Sequence, residues 1–288
     1  MRIALGTVQF GLPYGIANQT GQVARSEAKA MLQLAAANSI DTLDTAIAYG
    51  ESETRLGEAG VQSFNVVTKL PAIPASCHDV NGWVREQVGL SLCRLDLTRV
   101  YGLLLHRSDD LLGNNGAMLW HALEELRDVD LVQKIGVSVY APSEIEAVTS
   151  LYKVDLVQAP FNIVDRRLST SGWLDRLKSK GVEVHTRSAF LQGLLLMSRT
   201  AIPPKFSSWN PLWDAWHDWL DNAEISAAQA CLGFVQSVLG IDKIVVGVDS
   251  VQQLEQIIEA AQVAADLIFP EISCADERLI NPSNWSLL

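Results

Sequence analysis

Four side chains in this sequence have the types and the placement to act together on a carbonyl group. Asp44 and Tyr49 stand in DTLDTAIAYGESE, Lys69 closes FNVVTK, and His106 closes VYGLLLH. Each lies at or just beyond the C-terminal end of a strand-like run, and in a barrel of parallel strands those ends converge on one mouth. A phenol can pass a proton to a developing alkoxide, but its ordinary pKa of about 10 makes it a poor acid near neutrality. An ammonium about 4 Å away contributes about 4 kcal/mol at an effective dielectric near 20, which is roughly three pKa units before desolvation opposes it. Lys69 fits that part. A lysine buried alone would lose its proton, so a carboxylate must keep it charged and oriented, and Asp44 can do so. His106 would hydrogen-bond the carbonyl oxygen and position it. Tyr49 is then the general acid in reduction and, as phenolate, the general base in the reverse oxidation.

Taken singly, each residue has an ordinary structural role open to it: Asp44 as a helix cap, Tyr49 as a rim aromatic, Lys69 as a solvated strand end, His106 as a core histidine. What groups them is their common position at the ends of the second, third and fourth strands. Lys69 also admits a different chemistry, because a desolvated strand-end lysine forms Schiff bases with carbonyl compounds. A neighbouring Asp44 would keep it protonated and unreactive.

The elements that would position these groups follow from the alternation of short β-rich runs with longer helical ones, the pattern of parallel strands joined by helices. Strands are expected at 2–7, 41–46, 65–69, 100–106, 134–139, 155–160, 182–187 and 243–248. Between them SEAKAMLQLAAANS, with Ser26 as N-cap, AMLWHALEELRDV and AQACLGFVQSVL carry apolar residues at helical spacing. Eight strands with intervening helices imply an α/β fold, a (β/α)8 TIM barrel spanning residues 1–288 as one domain, the usual size being about 250 residues. The regularity breaks after strand seven, where residues 188–242 replace a crossover of about 10 to 15 residues. That insertion carries Pro203, Pro204 and WNPLWDAWHDWL, whose Trp209, Trp213, Trp216 and Trp219 share one helix face. Packing of that face against the barrel is the expected role; a lid over the mouth and a subunit interface are the alternatives.

Of the 288 residues 48% are hydrophobic, which implies a large core, and no apolar run reaches the roughly 18 residues of a membrane span. The start MRIALGTVQFG reads as a strand, not a secretory leader, so a cytoplasmic location is expected. A net charge of −11 disfavours nucleic acid and anionic membranes as partners. Cys77, Cys93, Cys231 and Cys274 form no CxxC pair, so neither a metal site nor a disulfide framework is expected. No GxGxxG follows a strand, which argues against a Rossmann domain. A barrel binds phosphates with the loops after strands seven and eight instead. There RSAFLQGLL offers Ser188 and Gly193, and VGVDSVQQLEQ sets Gly247, Asp249 and Ser250 at a helix start.

LGTVQFG, DTAIAYGESE, the TK at Lys69, LLLHRSD, IGVSVY, VQAPFNI, RSAFLQGLL and VVGVDSVQQLEQ, in this order, resemble the aldo-keto reductases over nearly the whole chain. The resemblance implies a (β/α)8 barrel that passes hydride between NADPH or NADH and an aldehyde or ketone. It implies Asp44, Tyr49, Lys69 and His106 as the catalytic group. It further implies a cofactor site drawn from Gly6, Thr7, Ser138, Gln158, Arg187, Ser188, Phe190, Gly193, Gly247, Asp249, Ser250 and Gln253. Three positions depart from the family pattern. Val139 stands where an Asn often follows Ser138 to grip the nicotinamide carboxamide, leaving that grip to Ser138 and Gln158. Arg187 stands where an aromatic ring often stacks on the nicotinamide, and its planar guanidinium could stack in its place. Asp249 stands near a basic residue that often holds the 2′-phosphate of NADPH, and a carboxylate there would repel that phosphate and accept ribose hydroxyls. The expected function is thus NAD(P)H-dependent reduction of a small carbonyl compound, with weaker discrimination against NADH. A nucleotide-binding barrel acting as a sensor or docking subunit is the alternative that the departures motivate. Phe10 and Tyr14 in the first loop could bound the substrate pocket or plug the barrel end.

Overall fold

In a computed structural model, which describes residues 1–18, 20–262 and 267–288, the chain closes into an eight-stranded parallel barrel in the order β1 to β8. The strands are β1 (Ile3–Gly6), β2 (Thr42–Asp44), β3 (Asn65–Leu70), β4 (Val100–Leu105), β5 (Val132–Ser138), β6 (Leu156–Pro160), β7 (Glu183–Arg187) and β8 (Lys243–Gly247). The helices that matter for the mouth are α1 (Val8–Gly11), α2 (Arg25–Ala37), α3 (Ser52–Ala59), α4 (Val80–Leu95), α5 (Gly116–Asp128) and, beyond β7, α6 (Asn210–Ala223), α7 (Ala227–Ser237) and α8 (Val251–Gln262). The expected strands are present, with ends shifted by a residue or two.

The strands read as continuous apolar runs because both faces are covered, one by the helices and one by the barrel interior. Ile3, Leu43, Val66, Leu103, Ile135, Val157, Val184 and Ile244 are all buried in the main core. Val67, Leu104 and Leu156 form a separate layer inside the barrel, with Tyr101 against it. At the N-terminal end of the strands the interior is polar. Glu183 accepts from the Tyr101 hydroxyl at 2.6 Å, lies 2.6 Å from His185 Nε2 and pairs with Lys134. Burial opposes that charge, yet the hydrogen bonds from His185, Lys134 and Tyr101 hold the Glu183 carboxyl down at about 2.

Local signals account for some helix ends. Ser226 and Gln229 form a reciprocal capping box on α7, with Gln229 N donating to Ser226 Oγ at 3.2 Å. Ser26 does not cap α2: the helix starts two residues earlier than a Ser26 cap would set it, at Arg25, with Ala24 extended at the N-cap and no side-chain cap. The added residues Arg25 and Ser26 place Ser26 inside the helix. The expected insertion after β7, residues 188–242, consists of 3₁₀ turns at Leu191–Leu196, Arg199–Ala201 and Pro204–Trp209, then α6 and α7. The tryptophan face of α6 turns inward: Trp213 and Trp216 are buried and donate to the carbonyls of Phe206 and Leu195, each at 3.1 Å. Trp219 stacks on Trp216 and donates to Ile268 O at 3.2 Å.

Candidate active site

β2 ends at Asp44, and the chain then turns back over the barrel mouth to α3. The turn is held by Tyr49 N on Ala46 O at 3.0 Å and Ser52 N on Tyr49 O at 3.0 Å. It lies flush against α1, where a Cβ built on Gly11 would stand 1.7 Å from Tyr49 O, so only glycine allows this approach. Three hydroxyls fix its start. Thr7 Oγ1 donates to Asp44 O at 3.0 Å and lies 2.9 Å from Ser52 Oγ, which in turn lies 3.1 Å from Thr45 Oγ1. Glu53, fully buried at the head of α3, accepts from Thr68 Oγ1 at 2.7 Å, Ser91 Oγ at 2.6 Å and Arg94 Nε at 2.8 Å. That carboxylate ties the helix after Tyr49 to the strand bearing Lys69 and to α4. Nothing in its local sequence distinguishes it from a surface glutamate.

Asp44, Tyr49, Lys69 and His106, far apart in the chain, meet at this mouth. Lys69 is 1% exposed and donates to Asp44 Oδ2 at 2.7 Å and to Thr45 O at 2.9 Å. Its Nζ lies 5.1 Å from the centre of the Tyr49 ring, and His106 meets the same ring edge-on at 5.8 Å between centroids. Burial works against the Lys69 ammonium, but the Asp44 carboxylate, the Tyr49 phenol and the Asp44 hydrogen bond hold its pKa above the ordinary lysine value. A protonated amine is no nucleophile, so this environment runs against Schiff-base chemistry at Lys69. Burial, with the Lys69 charge beside it, lowers the His106 pKa to about 4, which leaves a neutral imidazole at neutral pH. The second oxygen of Asp44 takes a hydrogen bond from Gln158 Nε2 at 2.6 Å. Gln158 thus anchors the carboxylate that holds Lys69, a contact its position on β6 alone did not reveal.

From this cluster a cavity of about 390 Å³ runs along the ends of β1, β7 and β8 toward α8, and Asp44, Tyr49, Tyr14 and Gln158 line its head. Of the positions expected to hold a dinucleotide, Gly6, Thr7, Gln158, Arg187, Ser188, Phe190, Gly193, Gly247, Asp249 and Gln253 line it. Ser138 is not among the lining residues; it is buried as the Cα partner of Gln158 in the β5 and β6 ladder. Ser250 is not among them either and accepts from Gln253 N at 3.1 Å, the role of a helix cap. Phe10 is fully buried in the core, so of the two first-loop aromatics only Tyr14 borders the cavity. Arg187 lies over the Tyr140 ring at 4.3 Å and donates to Val139 O at 3.0 Å.

Sequence reasoning missed the docking of the first loop across the far part of this groove. Asn18 Nδ2 donates to Asp249 Oδ1 at 3.0 Å, and Gln192 Nε2 donates to the Tyr14 hydroxyl at 2.9 Å. Gly193, at φ +93°, lies where a Cβ would stand 2.7 Å from Ala17 Cβ, so the loop after β7 meets the first loop backbone to side chain. Desolvation raises the Asp249 pKa against the Asn18 hydrogen bond. Two side-chain oxygens that belong to lining residues, Gln9 Oε1 and Gln158 Oε1, are buried without a hydrogen-bond partner among the described residues. Buried acceptors of this kind are satisfied in most proteins, which marks both as places for an N–H donor of a ligand.

A parallel barrel with a buried acid and amine and a half-buried phenol and imidazole gathered at the C-terminal mouth of its strands has the form of a barrel enzyme. The chain belongs to the aldo/keto reductase family, whose model matches residues 2–267. No curated protein matches it. Among solved structures it resembles an aldo-keto reductase from Bacillus halodurans in its holo form, at 20% identity and a TM-score of 0.74, over 94% of this chain and 89% of that one. It also resembles a putative aldo-keto reductase from Pseudomonas aeruginosa, at 22% identity and a TM-score of 0.68, over 91% of this chain and 90% of that one. At these identities the likeness speaks for the barrel.

Proposed function

We propose that this protein reduces an aldehyde or ketone to an alcohol with NAD(P)H, Tyr49 acting as general acid. The observation that carries this reading is the position of Lys69 Nζ, 2.7 Å from Asp44 Oδ2 and 5.1 Å from the Tyr49 ring centre, behind the two residues that line the head of an elongated groove. An ammonium kept charged by Asp44 stabilises the phenolate that Tyr49 becomes on losing its proton. Neutral His106 serves as hydrogen-bond partner to the carbonyl oxygen and orients it toward Tyr49. Gln158 keeps Asp44 from turning away from Lys69, and its free Oε1 suits an amide donor such as the nicotinamide carboxamide. NAD(P)H bound along the groove would supply the hydride, so that carbonyl, NAD(P)H and a proton give alcohol and NAD(P)⁺. Ser188, Gly193, Gly247 and Gln253 would hold its phosphates and adenosine end. Asp249 supports use of NADH beside NADPH, because a carboxylate accepts ribose hydroxyls and repels a 2′-phosphate.

Tyr49→Phe tests the reading. Loss of the positioned proton donor is expected to lower kcat about 10²- to 10⁴-fold. Binding of either reduced cofactor, followed through tryptophan fluorescence, is expected to persist. Turnover close to that of the unaltered protein would remove the mechanism. Tight cofactor binding with no NAD(P)H oxidation by any aldehyde in the unaltered protein would favour a nucleotide-sensing role.

A further inference from the structure

Arg187 ends β7 at the head of the groove, among the residues that line it with Asp44, Tyr49, Tyr14 and Gln158. Its guanidinium is half-buried and lies on Tyr140 at 4.3 Å, while Nη2 donates to Val139 O at 3.0 Å. Those two contacts fix the plane of the group and leave its other N–H donors uncommitted. Among the described residues no carboxylate lies within 4.0 Å of it. Arg167, by contrast, is paired with Asp165 and Glu277. A half-buried cation without a counterion is costly to hold unless a ligand supplies the opposite charge.

The charges around it leave the same vacancy. Asp44 and Lys69 neutralise each other in a 2.7 Å pair, and His106, lowered to about 4, carries no charge at neutral pH. Among the described residues Arg187 is therefore the uncompensated charge at the head of the groove, in a chain whose net charge is −11. Its field reaches the reacting end, since it acts on His106, Lys69 and Tyr14. Guanidinium matches carboxylate and phosphate in a two-point fork, an arrangement suited to orienting one end of a small molecule while the other end reacts.

We infer that Arg187 anchors an anionic group, a carboxylate or a phosphate, carried by the carbonyl substrate a short distance from the carbon that is reduced. The inference rests on the reductase reading and adds a substrate class to it. The competing source of the same chemistry is the cofactor diphosphate. Substrate is favoured because Arg187 lies on Tyr140, after β5, and close enough to His106 and Lys69 for its charge to press both pKa values downward, whereas Asp249, held by Asn18, and Gln253 line the groove beyond β8.

The test compares matched aldehydes: butanal with 4-oxobutanoate, 4-nitrobenzaldehyde with 4-carboxybenzaldehyde, and glyceraldehyde with glyceraldehyde 3-phosphate. In the unaltered protein kcat/KM is expected to be at least tenfold higher for the anionic member of a carboxylate pair or of the phosphate pair, and to fall toward the neutral value at high salt. Arg187→Met is expected to cost the anionic member at least tenfold more than its neutral partner, mainly through KM, and Arg187→Lys to restore part of the difference. Equal loss on both members, or a preference that survives Arg187→Met, overturns the inference while leaving the reductase reading intact. A rise in the cofactor Kd of Arg187→Met that matches the loss on every substrate assigns the residue to the diphosphate and also overturns it. If no aldehyde oxidises NAD(P)H, the reductase reading fails. Calorimetric titration of benzoate into the unaltered protein and Arg187→Met then decides the anion site alone: Arg187-dependent binding supports it, and no binding overturns it.

Discussion

Individual side chains at this mouth are set by their neighbours more than by their type. His106 is the clearest case, because burial comes first in lowering its pKa to about 4 from 6.5, the Lys69 charge adds to it and Asp44 opposes it. The unfolded chain takes up the proton first as pH falls, so folding is favoured above pH 6.5 and this contribution is lost between pH 6.5 and about 4. His106→Gln is therefore expected to flatten the fall of Tm with pH across that window. An unchanged slope in the variant would show that His106 takes up its proton alike in both states. Lys69 instead keeps its charge against burial, through Asp44 at 2.7 Å, and Asp44 is fixed in turn by Gln158 at 2.6 Å. Of these contacts the residue types foretold the first. The second joins positions 44 and 158, and nothing in either local sequence couples them.

At the level of elements, periodicity told more. Apolar runs of strand length placed all eight strands, and helical spacing placed α2, α5 and α7. The tryptophans of α6 fall on one face as their spacing required, and that face packs inward, with Trp213 at 2% exposure and its Nε1 on Phe206 O at 3.1 Å. Trp213→Ala is expected to cost about 3–5 kcal/mol of stability, as for other large core truncations. Urea unfolding measures the loss. KM for the carbonyl and for the cofactor is expected to stay unchanged, and a rise in either would return the helix to the role of a lid. The connection between Gly11 and the Tyr49 turn was hidden, because a 1.7 Å clash from a Cβ exists only when both segments are in place.

For the molecule as a whole, the barrel separates two polar regions. The mouth carries Asp44, Tyr49, Lys69 and His106, and the opposite end is closed by Tyr101, Lys134, Glu183 and His185, drawn from β4, β5 and β7. Glu183 is held at about 2, below its ordinary 4.5, through hydrogen bonds that outweigh burial. A depressed carboxylate favours the folded state above pH 4.5 and gives up that contribution as pH falls from 4.5 toward 2. Glu183→Gln is expected to reduce the acid sensitivity of Tm in this range while lowering Tm near neutrality. Equal pH profiles for the two proteins would rule out the plug as a source of acid lability. No helix among the described residues is long and apolar enough to cross a membrane.

The amino-acid sequence by itself determined the barrel and the four residues gathered at its mouth. Strand and helix periods are written in contiguous segments, and parallel strand ends must converge once the sheet closes. The tertiary structure alone decided which groups meet: Gln158 with Asp44, Asn18 with Asp249, and Arg187 on Tyr140 with no acid beside it among the described residues. Such pairings depend on differences of an ångström between segments distant in the chain, which residue type and spacing do not encode.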